Sequence, residues 1–260
     1  MSTTNRTDLS VNLNKIALIR NSRDTTYPSV TAHAQMCIDA GADGITVHPR
    51  PDQRHIRVDD CFDLAKMLTV EFNIEGNPFA PAMKSERSGV SDYPGFIDLV
   101  KAIKPAQCTL VPDNNQQLTS DHGFDLTQSG DALAPIIEQL HALGIRVSLF
   151  MDPDPEQIEL AKQVGADRIE LYTGPYAEAF SNNQNLDAVF QQFYQAGEQA
   201  ATLELGLNAG HDLNLHNLQR FATIPQLLEV SIGHAMIVDA ISMGLANAVQ
   251  AYQHCLGKNG

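Results

Sequence analysis

The sequence has no tryptophan, only four cysteines, and fewer basic than acidic residues. Its cysteines form no CxxC pair and have no histidine at zinc-finger spacing, so we expect neither a disulfide framework nor a structural zinc site. They are Cys37, Cys61, Cys108 and Cys255. With 17 Lys and Arg against 31 Asp and Glu, the formal charge is -14. The clustered cations of a nucleic-acid-binding surface are missing.

Long apolar segments are missing as well. The most apolar late stretch, residues 235–252, carries Asp239 and has amphipathic helical spacing, and residues 1–10 lack the apolar core of a signal peptide. These features predict a cytoplasmic protein that binds neither membranes nor nucleic acids. The negative charge does not exclude small phosphorylated ligands, because a few backbone N–H groups and one or two cations are enough to bind them.

The sequence does contain eight short apolar runs that end in polar residues such as His, Glu and Asn. These candidate strands are Leu9–Asn12, Ile45–His48, Phe72–Glu75, Cys108–Pro112, Val147–Asp152, Arg168–Glu170, Leu203–Asn208 and Leu228–Gly233. Eight strands alternating with helices over 260 residues, near the ~250 residues usual for the fold, predict a TIM (β/α)8 barrel with extra helices. We expect a single domain over residues 1–260.

One helix is predicted after each strand. The helical segments are Tyr27–Ala40, Val58–Leu68, Pro94–Ile103, Asp131–Leu143, Pro155–Val164, Leu186–Ala200, Leu215–Thr223 and Ala235–His254. Several end at a glycine before the next strand, as expected of the turns between helices and strands in a barrel. The alternative is an open doubly wound sheet, but the GxGxxG that usually follows its first strand is absent.

Two strands are followed by long polar connections, residues 76–93 and residues 113–130. Both follow strand ends, so both are expected on the face of the barrel where active sites lie and where long loops serve as lids. The loop at 76–93, inserted after strand 3, is rich in Pro, Ser and Gly. Its composition fits a disordered insertion and a loop that touches substrate or a partner equally well.

Acid–base residues follow the second and third strands. His48 comes at a strand end with Arg50 and His55 close behind, which places an imidazole near an anion-binding guanidinium. Glu75 ends a strand whose other inward residue is Asn73, so its carboxylate should point into the mouth, where partial burial raises the pKa. Glu170 lies within its strand and faces either the barrel interior or the helices.

Candidate phosphate ligands lie at both ends of the chain. Near the start, VNLNKIALIRNSR contains the amides Asn12 and Asn14 and three cations, which fits a phosphate site or a solvated basic segment. The cations are Lys15, Arg20 and Arg23. Near the end, Gly-His pairs follow strands seven and eight, where this fold usually binds phosphate. A metal site of His48, His211 and His234 is an alternative, although no HxH or HExxH spacing supports it.

These segments resemble the pyridoxine 5'-phosphate synthase family of vitamin B6 biosynthesis almost from end to end. The resemblance is carried by VNLNKIALIRNSR, GADGITVHPRPDQRHI, FNIEG, TLVPD, VSLFMDPD, IELYTGPYA, LNAGHDLN and SIGHAMI. It implies a transferase that condenses 1-deoxy-D-xylulose 5-phosphate with 3-amino-2-oxopropyl phosphate, giving pyridoxine 5'-phosphate, phosphate and water. It also implies a homo-octamer, a tetramer of dimers, that uses no metal or organic cofactor.

The resemblance also implies roles for individual residues. His48 and Glu75 match proton acceptors, His211 a proton donor, and Glu170 a carboxylate that stabilises the transition state. Residues that match ligands of the amino-ketone phosphate are Asn12, His211, Asp212, Gly233 and His234. Residues that match contacts to the pentulose phosphate are Arg23, Arg50, His55 and Thr119.

The sequence departs from the family pattern at several places, one of them the loop at 76–93, which is longer than in compact members. Asn14-Lys15 stands where many members have Asp-His, and a Lys can neutralise phosphate or polarise a carbonyl but cannot shuttle protons at pH 7 as imidazole does. We expect both residues to bind substrate. Asp212 stands where many members have Gly, and Val238-Asp239 replaces a common Gly-Arg.

Two other functions compete with this interpretation. A Schiff-base aldolase would need a Lys at a central strand end, but Lys15 lies past strand one and no strand from two to eight ends in Lys. A vitamer-binding protein that has lost activity would keep the phosphate site without the acid–base residues. The presence of His48, Glu75, Glu170 and His211 argues against that alternative.

Overall fold

The computed structural model describes residues 6–23, 25–114, 117 and 119–258. Eight parallel strands pair in chain order, β1 with β2 through to β8 with β1, and close a barrel. The strands are β1 (Asp8–Asn12), β2 (Gly44–Val47), β3 (Glu71–Gly76), β4 (Gln107–Leu110), β5 (Arg146–Met151), β6 (Arg168–Leu171), β7 (Gly206–Ala209) and β8 (Leu227–Ile232). The predicted TIM barrel is confirmed.

Apolar and polar side chains alternate along the strands, as the period of two requires. In β2, Ile45 and Val47 are fully buried in the hydrophobic core, whereas Thr46 lies on the inner face of the barrel. There its hydroxyl lies 2.7 Å from the Ser10 hydroxyl of β1 and accepts a 3.5 Å hydrogen bond from Asn73 of β3. The apolar core therefore lies between barrel and helices, and the barrel interior is polar.

The polar interior continues to the amino-terminal end of the barrel. Glu229 of β8 lies there, and its carboxylate accepts hydrogen bonds from Arg168 at 3.1 Å, Gln107 at 3.4 Å and Asn208 at 3.5 Å. Burial raises the pKa of Glu229 to about 8, an increase that Arg168 opposes. The effect of burial on the pKa of Glu229 thus outweighs the attraction between Glu229 and Arg168, as is common for ion pairs that are removed from water.

Eleven helices are present in the described part of the chain, against eight predicted. They are α1 (Asn14–Asn21), α2 (Val30–Asp39), α3 (Val58–Met67), α4 (Phe96–Ile103), α5 (Leu126–His141), α6 (Pro155–Gln163), α7 (Gly174–Asn182), α8 (Leu186–Thr202), α9 (Leu218–Phe221), α10 (His234–Met243) and α11 (Leu245–Cys255). Two of them, α1 and α7, lie in segments where no helix was predicted. The last predicted helix is divided in two at Gly244, whose φ of +82° is incompatible with a continuous helix.

Other boundaries also differ from the prediction. Strand seven was predicted from Leu203, but Leu203 caps α8 and Glu204 has a φ of +54°, so β7 begins only at Gly206. Helix α5 begins before its predicted start at Asp131, because Asp125 caps it by accepting a hydrogen bond from the Thr127 N–H at 3.1 Å.

None of the helices in the described ranges is long and apolar enough to cross a membrane.

The connection after β3 contains ordered contacts. Met83 and Tyr93 form an antiparallel bridge across it, with reciprocal backbone hydrogen bonds of 2.8 Å. Ser91 also donates a 2.6 Å hydrogen bond to Asp59 of α3. The bridge orders the connection internally, and Ser91 attaches it to α3.

Candidate active site

A cavity of about 420 Å³ opens at the carboxyl ends of the strands. The predicted site residues line it, with the exception of Arg23. Those that line it are Asn12, Asn14, Lys15, His48, Arg50, His55, Glu75, Thr119, Glu170, His211, Asp212, Gly233 and His234. The fold thus gathers into one cavity residues that lie more than two hundred positions apart in the chain.

His48 and Glu75 form the buried centre of the cavity. His48 is the first residue after β2, Glu75 is the fifth of β3, and His48 Nδ1 lies 3.8 Å from Glu75 Oε2. Burial lowers the pKa of His48 to about 3, with nearby Arg50 and Arg54 contributing. Burial, together with the negative charge of Glu170, raises the pKa of Glu75 well above its usual value. Burial thus favours the uncharged form of both groups, the neutral imidazole and the protonated carboxyl group.

Two asparagines, one at the end of β1 and one at the start of α1, hold this pair in place. Asn12 ends β1, and its amide donates a 3.5 Å hydrogen bond to Glu75 while its carbonyl accepts the Asn14 N–H at 2.9 Å. The side-chain carbonyl of Asn14 accepts the backbone N–H of His48 at 2.9 Å. Asn14 therefore links α1 to the end of β2 and sets the position of His48.

Glu170 faces the barrel interior, which decides between the two orientations that its sequence position allowed. It is only 5% exposed and pairs in register with Phe150 of β5 and Asn208 of β7. Burial raises the pKa of Glu170 to about 7, and the nearby His211 and a hydrogen bond with Thr109 limit the rise. This carboxyl group can exchange a proton near physiological pH.

His211 and Asp212 follow β7 at the rim of the cavity. His211 Nδ1 lies 2.8 Å from Asp212 Oδ2, and the ring of Tyr172 meets the imidazole edge-on with 5.6 Å between ring centroids. The hydroxyl of Thr173 donates to the backbone carbonyl of His211. Two groups therefore contact the imidazole and a third holds the backbone of His211, while the ring still lines the cavity.

A cup of backbone groups is formed after β7 and β8. Gly233 caps α10, and His234 is the first residue of that helix, whose amino terminus attracts anions. A Cβ on Gly210 would lie 2.1 Å from the Ser231 carbonyl oxygen, so only glycine allows β7 and β8 to approach this closely. The geometry suits a phosphate group.

On the opposite side, Arg50 is buried in an ion pair that the sequence did not reveal. Its guanidinium contacts Asp113, and each side chain is only 4% exposed. Asp113 also accepts a 3.1 Å hydrogen bond from Ser120 and lies 3.6 Å from His48 Nε2. Asp113 follows the β4 run TLVP directly, so its position at a strand end was a signal for a site residue.

The three cations of the first segment do not meet. Lys15, in the first turn of α1, lines the cavity, but Arg20 is buried and forms an ion pair with Asp60 of α3. Arg23 lies exposed just after α1 and outside the cavity lining. One cation of the three is therefore placed to meet a substrate within this chain.

A metal centre finds no support in the geometry. Across residues 6–23, 25–114, 117 and 119–258, no group of three or more His, Cys, Asp or Glu could hold a metal ion. His48 instead meets His55 edge-on at 6.4 Å between ring centroids. The backbone N–H of Ile56 donates a 2.9 Å hydrogen bond to Nδ1 of His55, so Nε2 is the ring nitrogen left for another partner.

Sequence comparison places the chain among known proteins. The family model described as pyridoxal phosphate biosynthesis protein PdxJ matches residues 9–258. A relative named pyridoxine 5'-phosphate synthase from Xanthomonas campestris pv. campestris is 54% identical over 250 residues, which cover 95% of this chain and 94% of the relative. One of the same name from Albidiferax ferrireducens is 49% identical over 257 residues, covering 97% and 98%.

Solved structures share the fold at much lower identity. Thiamine phosphate pyrophosphorylase from Pyrococcus furiosus has a TM-score of 0.57 at 12% identity, covering 98% of this chain and 97% of that one. Such a likeness concerns the fold alone. The family model and the relatives, in contrast, match almost the whole chain, and the chain therefore belongs to the pyridoxal phosphate biosynthesis protein PdxJ family.

Proposed function

We propose that this protein is a pyridoxine 5'-phosphate synthase, a transferase that condenses 1-deoxy-D-xylulose 5-phosphate with 3-amino-2-oxopropyl phosphate. The products are pyridoxine 5'-phosphate, inorganic phosphate and water. The observation that carries the proposal is the buried contact between His48 and Glu75 in a cavity that the family's other site residues line. The names of the relatives support the same reaction.

The cavity offers separate positions for the two phosphates. The amino-ketone phosphate is assigned to Gly233, His234 and the start of α10, where backbone N–H groups and the helix dipole favour an anion. The pentulose phosphate is assigned to the side of Arg50 and His55. Holding both substrates in one orientation supplies a large part of the rate enhancement.

Proton transfers between these positions drive the reaction. The substrate amine attacks the pentulose ketone to form a Schiff base, and the neutral imidazole of His48 accepts a proton. Glu75 exchanges protons beside it as water is lost and the phosphate group of the pentulose is then expelled as inorganic phosphate. The carbon skeletons next join and lose water, and His211 and Glu170 handle protons around the retained phosphate. Each acid–base step contributes ~10²–10⁴-fold.

The test is an assay of the purified, metal-free protein with both substrates, following pyridoxine 5'-phosphate by chromatography and released phosphate by colour. We expect equal amounts of the two products. Glu75→Gln should abolish turnover and leave phosphate binding intact, because the amide cannot transfer the proton. Glu159→Gln, on the exposed face of α6, is the matched control and should behave as the wild type.

Two results would contradict the proposal in different ways. Normal turnover by Glu75→Gln would remove Glu75 from the mechanism. Substrate binding by the wild type without product would favour a vitamer-binding protein, and the first replacement to test would then be Lys15→His, which restores the residue common in the family.

We further propose a homo-octamer, a tetramer of dimers, in the cytoplasm. Support for assembly comes from large apolar side chains exposed on two helices that pack together, Leu18 and Ile19 on α1 and Val238 and Ile241 on α10. Apolar groups gathered on one surface are typical of contacts between subunits. Sedimentation should give the mass of eight chains, and a monomer at micromolar concentration would contradict the proposal.

A further inference from the structure

The Asp212 carboxylate is hydrogen-bonded to the His211 ring, and phosphate binding by this loop does not explain that contact. We propose that Asp212 is a positioning residue, whose carboxylate holds the His211 ring with its proton on Nδ1, so that Nε2 is the nitrogen offered to substrate. This inference rests on the proposed function and adds a residue to it.

The first support is the geometry of the pair. The 2.8 Å separation of His211 Nδ1 and Asp212 Oδ2 is that of a strong hydrogen bond between a ring nitrogen and a carboxylate. An ionised carboxylate only accepts hydrogen bonds, so the imidazole must donate from Nδ1 in both its neutral and its charged form. The hydrogen bond from His211 lowers the pKa of Asp212, which keeps the acceptor ionised.

The second support is the backbone of Asp212. The N–H of Leu213 donates to the Gly210 carbonyl at 3.0 Å and closes a four-residue turn in which Asp212 is third. Its φ is +61°, in the left-handed region that favours glycine at this position of a turn. A side chain that bears this conformational cost at the rim of a site points to a function for that side chain.

The third support is the charge of the ligand expected beside the pair. A carboxylate repels a phosphate, so the Asp212 side chain is unsuited to bind the substrate phosphate directly. Its backbone N–H remains able to do so, as a glycine at this position would. The two parts of Asp212 thus have separate tasks, the N–H toward phosphate and the carboxylate toward His211.

The chemical consequence concerns proton transfer at Nε2. In the neutral ring Nε2 carries the lone pair and can accept a proton from the substrate. Once it has done so, the Asp212 carboxylate faces the charged imidazolium and stabilises it, which favours proton uptake at Nε2. The imidazolium is then the acid that gives the proton back to the substrate in a later step. Glu170 is the ionisable group of the barrel interior that lies near His211, and the interaction with His211 lowers its pKa.

The experiment compares two replacements that both tolerate the left-handed conformation. Asp212→Gly removes the carboxylate and relaxes the backbone, whereas Asp212→Asn keeps an acceptor oxygen without charge. Ring-labelled histidine spectra of the substrate-free protein report which nitrogen of His211 is protonated, and the His211→Gln spectrum identifies the signal. We expect Nδ1–H in the wild type, a shift toward Nε2–H in Asp212→Gly, and an intermediate result in Asp212→Asn.

Turnover should follow the spectra. Misplacement of a catalytic group typically costs about 10²-fold, so kcat of Asp212→Gly should fall by about that factor with little change in KM, and Asp212→Asn should recover part of it. The matched control is Asp167→Asn at the opposite end of the barrel. There His141 Nε2 lies at the same 2.8 Å from Asp167 Oδ2, and kcat should not change.

Two results would overturn the inference: wild-type kcat in Asp212→Gly, or an unchanged His211 tautomer in that variant. The spectra require no turnover, so they decide the role of Asp212 even for a protein that makes no product. Lack of product in the wild type would refute the proposed function alone.

Discussion

Removal of the Asp113 carboxylate tests how the buried side of the cavity is held together. In Asp113→Ala, Arg50, which is 4% exposed in the wild type, loses its ion-pair partner. Burial raises the pKa of Asp113 even with Arg50 in contact, and burial lowers the pKa of Arg50. Burial therefore outweighs the attraction between the two charges, but loss of one member leaves an uncompensated buried charge.

The size of the effect follows from this imbalance. Breaking a buried pair costs about 3–5 kcal/mol. Arg50 keeps hydrogen bonds to the backbone carbonyls of Asn114 at 3.0 Å and Gln117 at 3.2 Å, so we expect the lower end, about 3 kcal/mol. At about 2–4 °C per kcal/mol for a chain of this size, the melting temperature should fall by about 6–12 °C.

Urea and thermal denaturation followed by circular dichroism would measure the change. The control is Asp187→Ala, which breaks an exposed pair with Arg220 at 2.6 Å, in which the Asp187 side chain is 94% exposed. It should cost less than about 1 kcal/mol. Equal losses in the two variants would refute the argument. Replacement of both partners, Arg50→Met with Asp113→Leu, should restore much of the stability, because no buried charge is then left alone.

Three further predictions concern other parts of the barrel. Glu229→Gln should flatten the pH dependence of the free energy of unfolding. The Glu229 carboxyl has a pKa of about 8 in the folded protein and ~4.3 in the unfolded chain, so the wild type loses stability as the pH rises between these values. Urea denaturation at pH 5 and pH 9 would measure the change, and an equal loss of stability between the two pH values in wild type and variant would contradict the prediction. Gly210→Ala should destabilise the fold by about 1–3 kcal/mol through the clash with Ser231, seen as a lower urea midpoint; a wild-type midpoint would show that the strands can separate freely. Cys255, the only incompletely buried cysteine of the four, should be the one thiol that reacts in the native protein at pH 8. Burial raises its pKa too, but reagents can reach it, whereas the other three thiols are buried; rapid reaction of more than one thiol would show that the core opens.

The sequence predicted the barrel well because the relevant forces are local. Apolar runs interrupted by glycine turns identify eight strands, and polar residues at their ends identify the catalytic face. His48, Glu75 and the Gly-His pairs could be found in this way. The segment of α1 was missed because only Ile16 and Ala17 of its buried face are apolar, whereas Arg20 and Asn21, one turn further along that face, are polar.

Side-chain partners were harder to predict because they come from distant parts of the chain. The contact of Arg20 with Asp60 and that of Arg50 with Asp113 depend on how helices and loops pack around the barrel. The inward orientation of Glu170 depends on the register between strands, since a shift of one residue would turn it toward the helices.

The sequence by itself determined the order of strands and helices, the face on which the site lies and most of the residues that line it, because strand alternation and strand ends are properties of short segments. Only the tertiary structure decided which groups share a proton or a charge. It set His48 beside Glu75 and Asp113, and it buried these groups deeply enough to shift their pKa values. Both effects require the closed barrel, since proximity and desolvation exist only after the strands have paired.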